Sequence, residues 1–368
     1  MSQASGSEFG AHLTIDLDAL AENWRRLARR VPSAECGAVV KANAYGCGIE
    51  EVVPALGWAG CRTFFVAHLS EARRVRKVAP SATIYVLNGL LPGSASAYHA
   101  IGARPVLGAP EEIAEWALEG RGRGCALHVD TGMNRLGLGS GDLQRMIDSA
   151  VRERLDIRLV MTHFSAAEVP DDPANLRQVT RFANVADVFP GAGKSLLNSS
   201  GHFLDIAPPY DLTRPGYALY GGNPVPGQPN PMQPVVRLTA RILQTRVVAD
   251  GEGVGYNSRW HARGSRKLAT ICLGYADGYP RNASYTDALP GGHALVAGVL
   301  CPFAGTISMD LIVLDVSDVP ASDSVRGAEV VLIGDGLDLD TVAAGAKTVG
   351  YEMLTSLGRR YQRSYSGQ

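Results

Sequence analysis

From Leu13 to Tyr220, short apolar runs alternate with longer amphipathic stretches, and this alternation limits the possible folds more than any other feature of the sequence. Thr14-Ile-Asp-Leu17 leads into residues 19–31, where Leu20, Trp24, Leu27 and Val31 recur at helical spacing. Ala38-Val-Val-Lys41 reads as a strand, with a helical stretch over 49–56 behind it. Phe64-Phe-Val-Ala67, Thr83-Ile-Tyr-Val-Leu87, Arg104-Pro-Val-Leu107, Cys125-Ala-Leu-His-Val129 and Ile157-Arg-Leu-Val-Met161 continue the series, and Ser195-Leu-Leu197 and residues 212–220 close it. Repeated strand–helix units of this length imply parallel strands joined by crossover helices. About eight units in roughly 200 residues fit a (β/α)8 TIM-type barrel better than an open sheet.

Gly221-Gly-Asn-Pro-Val-Pro-Gly-Gln-Pro-Asn-Pro231 breaks the pattern, because such a cluster continues neither a helix nor a central strand. Beyond it, short alternating runs at 235–248, 268–273, 294–299, 311–316 and 330–333 are separated by Gly, Pro and Asp turns. The expected architecture is an α/β chain: a barrel over residues 12–222, then a mainly β domain over 235–368. Residues 1–11 are expected to pack with that second domain.

Of the 368 residues, 46% are hydrophobic and 19% charged, which suits a packed globular protein. The formal net charge is −1 and the cations are scattered, so neither a nucleic acid nor a membrane surface is expected as a partner. Cys36, Cys47, Cys61, Cys125, Cys272 and Cys301 form no C-x-x-C pair and no zinc spacing; free thiols in a reducing cytosol and no metal site are expected. The first residues lack a signal-peptide pattern, and no run is long and apolar enough to span a bilayer. A soluble, cytoplasmic protein is the expectation.

Val39-Val-Lys41-Ala-Asn-Ala-Tyr45-Gly-Cys-Gly48 carries the first chemical signal. A lysine at the carboxyl end of an early barrel strand opens onto the face where such barrels build their sites. Desolvated there, it can lose its proton and form an imine. A strand-end lysine alone would simply reach into solvent. The context is different, because Asp130-Thr-Gly-Met-Asn-Arg135, Thr162-His163, Asn198-Ser199-Ser200 and Arg214-Pro-Gly216-Tyr217 all follow apolar strands on the same predicted face. The last two lie where late-strand loops of these barrels hold phosphate.

Taken together, VVKANAYGCG, DTGMNRLG, THFSAAE, NSSG, RPGYALYG, VGYNSRW, GYADGYPR, GTISMD and GYEMLTSLGRRY resemble the alanine racemases, and the likeness runs from Ile15 to about Arg363. The resemblance implies a pyridoxal 5'-phosphate (PLP) barrel, a β domain and a homodimer whose sites borrow residues from the other subunit. It implies that Lys41 is the PLP-linked lysine and one base, and that Tyr256, from the other subunit, is the second. Tyr45, Ser199, Gly216, Tyr217 and Tyr351 resemble the phosphate cradle, and Arg214 the partner of the pyridine nitrogen. Arg135 and His163 resemble residues that orient the cofactor, the substrate carboxylate and Tyr256. Met309 and Asp310 resemble partner-subunit residues bordering the substrate. Asp277 is read as structural or entrance-lining.

The implied reaction interconverts L- and D-alanine, serving either peptidoglycan supply or alanine catabolism. Where the family often has a carbamylated lysine supporting the arginine, this sequence has His128, so a chloride or Asp130 would have to replace that negative charge. Three readings compete: a racemase of serine or of broader range, a related D-amino-acid aldolase, and a non-catalytic PLP-binding protein. The last of these shares the barrel and the lysine motif but lacks a β domain and a counterpart of Tyr256.

Overall fold

The computed structural model describes residues 8–367. The chain forms two compact units, one from Asp18–Gln233 and the other from the described part of Met1–Leu17 together with Pro234–Gln368. The expectation for residues 1–11 concerns mostly residues outside those described.

In the first unit, seven parallel strands pair in chain order: Ala38–Val39, Thr63–Val66, Thr83–Val86, Arg104–Leu107, Gly124–His128, Asp156–Met161 and Gly193–Ser195. Leu212–Thr213 completes the ring by pairing in parallel with Glu35–Cys36. Gly37 N–H donates to Thr213 O at 3.0 Å and Val39 N–H to Pro215 O at 2.8 Å. On its other edge, Asp211 N–H donates to Lys194 O at 3.1 Å and Arg214 N–H to Leu197 O at 2.9 Å. Counting Glu35–Cys36 and Ala38–Val39 as one interrupted strand, the barrel has eight strands, as the alternation predicts. All four residues of Thr63–Val66 are buried, the two-sided burial of a parallel sheet covered by helices.

The outer helices present apolar stripes to this sheet. On Leu17–Arg30, Leu20 and Leu27 are fully buried, and Trp24 donates its indole N–H to Cys36 O at 3.2 Å. The Pro/Gly/Asn stretch is held to the same helix, because Asn23 donates to Gln233 O at 2.9 Å and accepts from Gln233 N–H at 2.8 Å.

One assignment changes. Residues 12–16 of the strand Ala11–Asp16 fall inside the predicted barrel range but do not enter the barrel. The strand pairs antiparallel with Val236–Val248 and in parallel with Gln362–Ser366. The reason is its period: Ala11, Leu13 and Ile15 are buried while His12, Thr14 and Asp16 are only partly so. A strand with one wet face suits a sheet covered on one side, and barrel strands are buried on both.

The second unit is built on Val236–Val248, which also pairs with Arg266–Ile271 and Glu329–Ile333. Arg266–Ile271 pairs in turn with Ile312–Asp315. His293–Val296 and Val299–Pro302 form a hairpin whose two turn residues, Ala297 and Gly298, both have positive φ (48° and 80°), as a tight turn between twisted strands requires. Leu339–Gly345 and Gly350–Ser356 are its helices. The six cysteines are all free, and among the described residues no helix is long and apolar enough to cross a membrane.

Ile15 is fully buried between its two partner strands. Ile15→Ala should therefore destabilise the β unit by about 2–5 kcal/mol, read as a lower urea-unfolding midpoint. His12→Ala, on the wetter face, should shift it much less.

Candidate active site

The first strand hands over to an unusual turn. Val40 N–H still donates to Phe65 O at 2.8 Å, but Ala42, Asn43, Ala44 and Tyr45 have φ values of 53°, 56°, 54° and 51°. Four consecutive non-glycine residues are thus left-handed, at a cost of about 1–2 kcal/mol each. Asn43 tolerates this best, and Gly46 (φ 80°) follows without penalty. Strain of this kind is a marker of functional sites. Lys41 sits between ladder and turn and is half-buried. Burial lowers its pKa, the positive Arg135 lowers it further, and Glu71 opposes both.

The turn sends the buried Tyr45 ring back against Tyr220, centroids 4.6 Å apart. A methyl group at position 216 would lie 2.5 Å from the Tyr45 hydroxyl oxygen, so only glycine fits there. Gly216 N–H donates to Ser199 Oγ at 3.0 Å, and Ala218 N–H donates to the same oxygen at 3.1 Å. Two hydroxyls, from Tyr45 and Ser199, therefore converge on Gly216. Tyr217 is buried beside them, its ring filling the space that a side chain at Gly222 would need.

Arg214 lies inside the ring of strands, 3% exposed. Its guanidinium donates to Ser195 Oγ, to Thr162 O at 2.5 Å and to Leu196 O at 3.5 Å. Burial pulls its pKa down to about 9, which leaves it cationic at neutral pH. That charge helps to discharge its neighbours. His163 is held at about 3 by burial, then by Arg214, Arg135, Lys41 and His128. His128 is held at about 4 by burial and Arg214, with Arg135 adding to them and Asp130 opposing. Both imidazoles are neutral near pH 7.

The role open to Asp130 narrows. Its carboxylate accepts from Gly132, Met133 and Asn134 N–H, each at 2.8 Å, so it closes the DTGM loop on itself. Arg135, at the far end of that loop, is exposed. Gln178 braces two of the loops: its amide N–H donates to Thr131 Oγ1 at 3.1 Å and to His163 O at 2.9 Å, and its oxygen accepts from Ser165 N–H at 2.9 Å. Gln178 looks like any polar helix residue in the sequence, and nothing there marked it. Glu71 carries only half of a helix-start signal, a glutamate three residues after a first position that holds His68 in place of Ser, Thr, Asp or Asn.

The remaining predicted residues lie in the β unit. Tyr256 sits at the tip of the Gly253–Val254 and Trp260–His261 hairpin, 67% exposed, with Gly255, Asn257 and Ser258 all at positive φ. Met309 is 54% exposed. Asp310 pairs with Arg360 at 2.8 Å, and Arg360 pairs with the buried Asp277 at 3.2 Å. Asp277 also accepts Gly274 N–H at 2.9 Å, and Ala276 N–H donates to Met309 O at 2.9 Å. This agrees with a structural reading of Asp277. Tyr351 is half-buried on Gly350–Ser356. Among the described residues, no group of three or more His, Cys, Asp or Glu is arranged to hold a metal.

Comparison with known proteins places these residues in context. Residues 15–224 match the family model described as alanine racemase, N-terminal domain, and residues 235–365 match alanine racemase, C-terminal domain. The chain is 59% identical over 363 residues to an alanine racemase of Methylobacterium nodulans, covering 98% of this chain and 97% of that one. A catabolic alanine racemase of Agrobacterium fabrum is 44% identical over 371 residues, covering 99% and 94%. The crystal structure of an alanine racemase from Bartonella henselae with covalently bound pyridoxal phosphate is similar with a TM-score of 0.92 at 38% identity, covering 97% of this chain and 99% of that one.

The histidines yield a pH prediction. His128, His163 and the buried His202 have folded pKa values of about 4, 3 and 3, each depressed mainly by burial, against about 6.5 in the unfolded chain. Between those limits the unfolded chain binds more protons. The stability they contribute is complete above about pH 6.5 and is lost as pH falls toward 4 and 3. In the ligand-free protein, NMR titration should find all three rings neutral from about pH 7 to 5; a ring that charges in that range contradicts the assignment.

Proposed function

The chain belongs to the alanine racemase family, and from that premise we propose that it interconverts L- and D-alanine with Lys41 and Tyr256 as its two bases and PLP as its cofactor. The observation that carries this reading is a desolvated Lys41 on the same barrel rim as Arg214, Ser199, Gly216 and Tyr45. These residues fit PLP. The Tyr45 and Ser199 hydroxyls converge at Gly216, where hydroxyl donors suited to a phosphate are gathered. A buried guanidinium directs three donors into the protein and has donor capacity left for a ring nitrogen.

When bound, PLP supplies delocalisation of the electron pair left at Cα after its proton departs. The chain's own residues do the rest. Burial and Arg135 raise the neutral fraction of the Lys41 amine, which can then accept or return a proton at Nζ on one face, assigned to the D enantiomer. Tyr256, from the second copy of a homodimer, would serve the opposite face through its phenolic oxygen and the L enantiomer. A phenol is a weak acid, so the cations Arg135 and Arg214 are assigned the task of favouring its phenolate. Arg214 stays charged and donates hydrogen bonds without delivering a proton. With PLP bound, an arginine at the ring nitrogen would limit electron withdrawal, which would suit reprotonation over transamination. His163, held neutral, is a hydrogen-bonding group and carries no charge of its own.

By family likeness, Tyr217 and Tyr351 complete the phosphate cradle, Arg135 meets the substrate carboxylate, and Met309 and Asp310 border the substrate. The protein is placed in the cytoplasm as a homodimer, without nucleic-acid or membrane partners.

Optical rotation followed with L-alanine, L-serine and L-lysine should show preference for alanine; a preference for either of the others displaces this reading in favour of a different or broader racemase. Lys41→Ala should lose covalent PLP. Tyr256→Phe should slow α-proton exchange from L-alanine by about 10²–10⁴-fold, the usual worth of a positioned base. Full turnover in both directions would remove Tyr256 from the mechanism.

A further inference from the structure

We propose that Glu71 is a positioning residue for the reaction: its carboxylate clamps the left-handed turn that follows Lys41 and so aims the Lys41 amine. The proposal rests on the reading of Lys41 given above.

Lys41 is fixed from two sides. Before it, Val40 is held in the barrel ladder through Phe65 O. After it comes the strained turn, whose own hydrogen bonds (Ala44 N–H to Val40 O at 2.9 Å, Gly46 N–H to Ala42 O at 2.8 Å, Gly48 N–H to Asn43 O at 2.9 Å) leave Asn43 N–H without a backbone acceptor. Glu71 Oε1 accepts it at 3.2 Å. The other oxygen, Oε2, accepts Ala67 N–H at 2.9 Å and His68 N–H at 3.1 Å, at the start of helix Leu69–Val78. The second of these is the familiar helix-start contact of a glutamate at this position. The bond to Asn43 is additional and spans 28 residues of sequence. One carboxylate thus joins the turn after Lys41, the end of the second barrel strand and the next helix.

A second clasp holds the same residue. Asn43 Oδ1 accepts from Arg74 Nη2 at 2.5 Å and from Ile49 N–H at 3.3 Å, and Arg74 Nε donates to Glu50 Oε1 at 2.7 Å. Arg74 lies one turn beyond Glu71 on the same helix, so one helix grips both the backbone and the side chain of Asn43. Glu71 is also the negative group acting on Lys41, opposing burial and Arg135.

Two acceptor oxygens are needed because donors approach from two directions. Glutamine offers only one and would turn its NH2 toward an N–H donor. Glu71→Gln can keep the helix start through Ala67 and His68 and lose the bond to Asn43, which separates the clamp from ordinary capping. Amide hydrogen exchange by mass spectrometry on the PLP-loaded enzyme should show residues 42–48 exchanging about tenfold faster or more in Glu71→Gln, with 69–78 unchanged. In the same variant kcat for alanine should fall about tenfold or more, with KM moving less than about threefold. Arg74→Met should act in the same direction. Wild-type exchange over 42–48, or faster exchange with unaltered kcat, overturns the proposal. Lys41→Ala run alongside keeps the readings apart: if it retains covalent PLP, the role of Lys41 fails, while exchange over 42–48 in Glu71→Gln still reports on the clamp.

Discussion

The hydrogen bonds that join the last barrel strand to the first, Gly37 N–H to Thr213 O and Val39 N–H to Pro215 O, are the contacts on which the candidate site depends. Lys41 and Arg214–Tyr217 lie at opposite ends of the barrel sequence, and only closure of the ring sets them side by side. Closure also explains why Gly216 must be glycine: the Tyr45 hydroxyl, carried from the first strand's turn, occupies the place of its side chain. An open sheet with the same strands would put these groups on opposite edges.

Closure has an electrostatic consequence. Arg214 is sealed among carbonyls and Ser195 Oγ, where its charge is stabilised by dipoles and not by a carboxylate. Arg214 and Arg135 put positive charge on the site, with Glu71 and Asp130 opposing it. Burial and these cations together hold His128 and His163 neutral and lower the basicity of Lys41. At the proposed site, these cations would favour a cofactor carrying a phosphate and a substrate carrying a carboxylate. His128 is consistent with this: a neutral imidazole adds no charge, and Asp130 spends both oxygens on its own loop.

Much of this was legible in the sequence, for identifiable reasons. Runs such as Thr63–Val66 read correctly because two-sided burial leaves an unbroken apolar string. Residues 12–16 read as barrel although their alternation is visible, because their position directly before an amphipathic helix imitates a barrel unit. The left-handed course of Ala42–Tyr45 had no local signature: alanine and tyrosine do not seek positive φ, and the turn persists because Glu71 and Arg74 hold Asn43 from a distant helix. Gln178 was invisible for a related reason. Its value comes from the acceptors and donors that the fold brings to it.

The β unit poses the opposite problem, since its motifs were plain in sequence while their exposure was not. A side chain at Gly255 would come within 3.6 Å of Thr306, one at Gly305 within 2.6 Å of Val254 O, and Ala276 N–H bonds Met309 O. These contacts, with Asp277–Arg360–Asp310, merge VGYNSRW, GTISMD, GYADGYPR and GRRY into one continuous surface. Exposed ion pairs add little stability, so the part Arg360 plays is geometric: it sets the direction of Asp310 from the buried Asp277. On that surface Tyr256, Tyr275, Met309 and Leu311 are all exposed. The two proposed bases therefore differ in kind. Lys41 is desolvated by its own barrel, whereas Tyr256 is 67% exposed on the β unit, so the proposed second base would depend on the proposed second subunit in a way that the first would not.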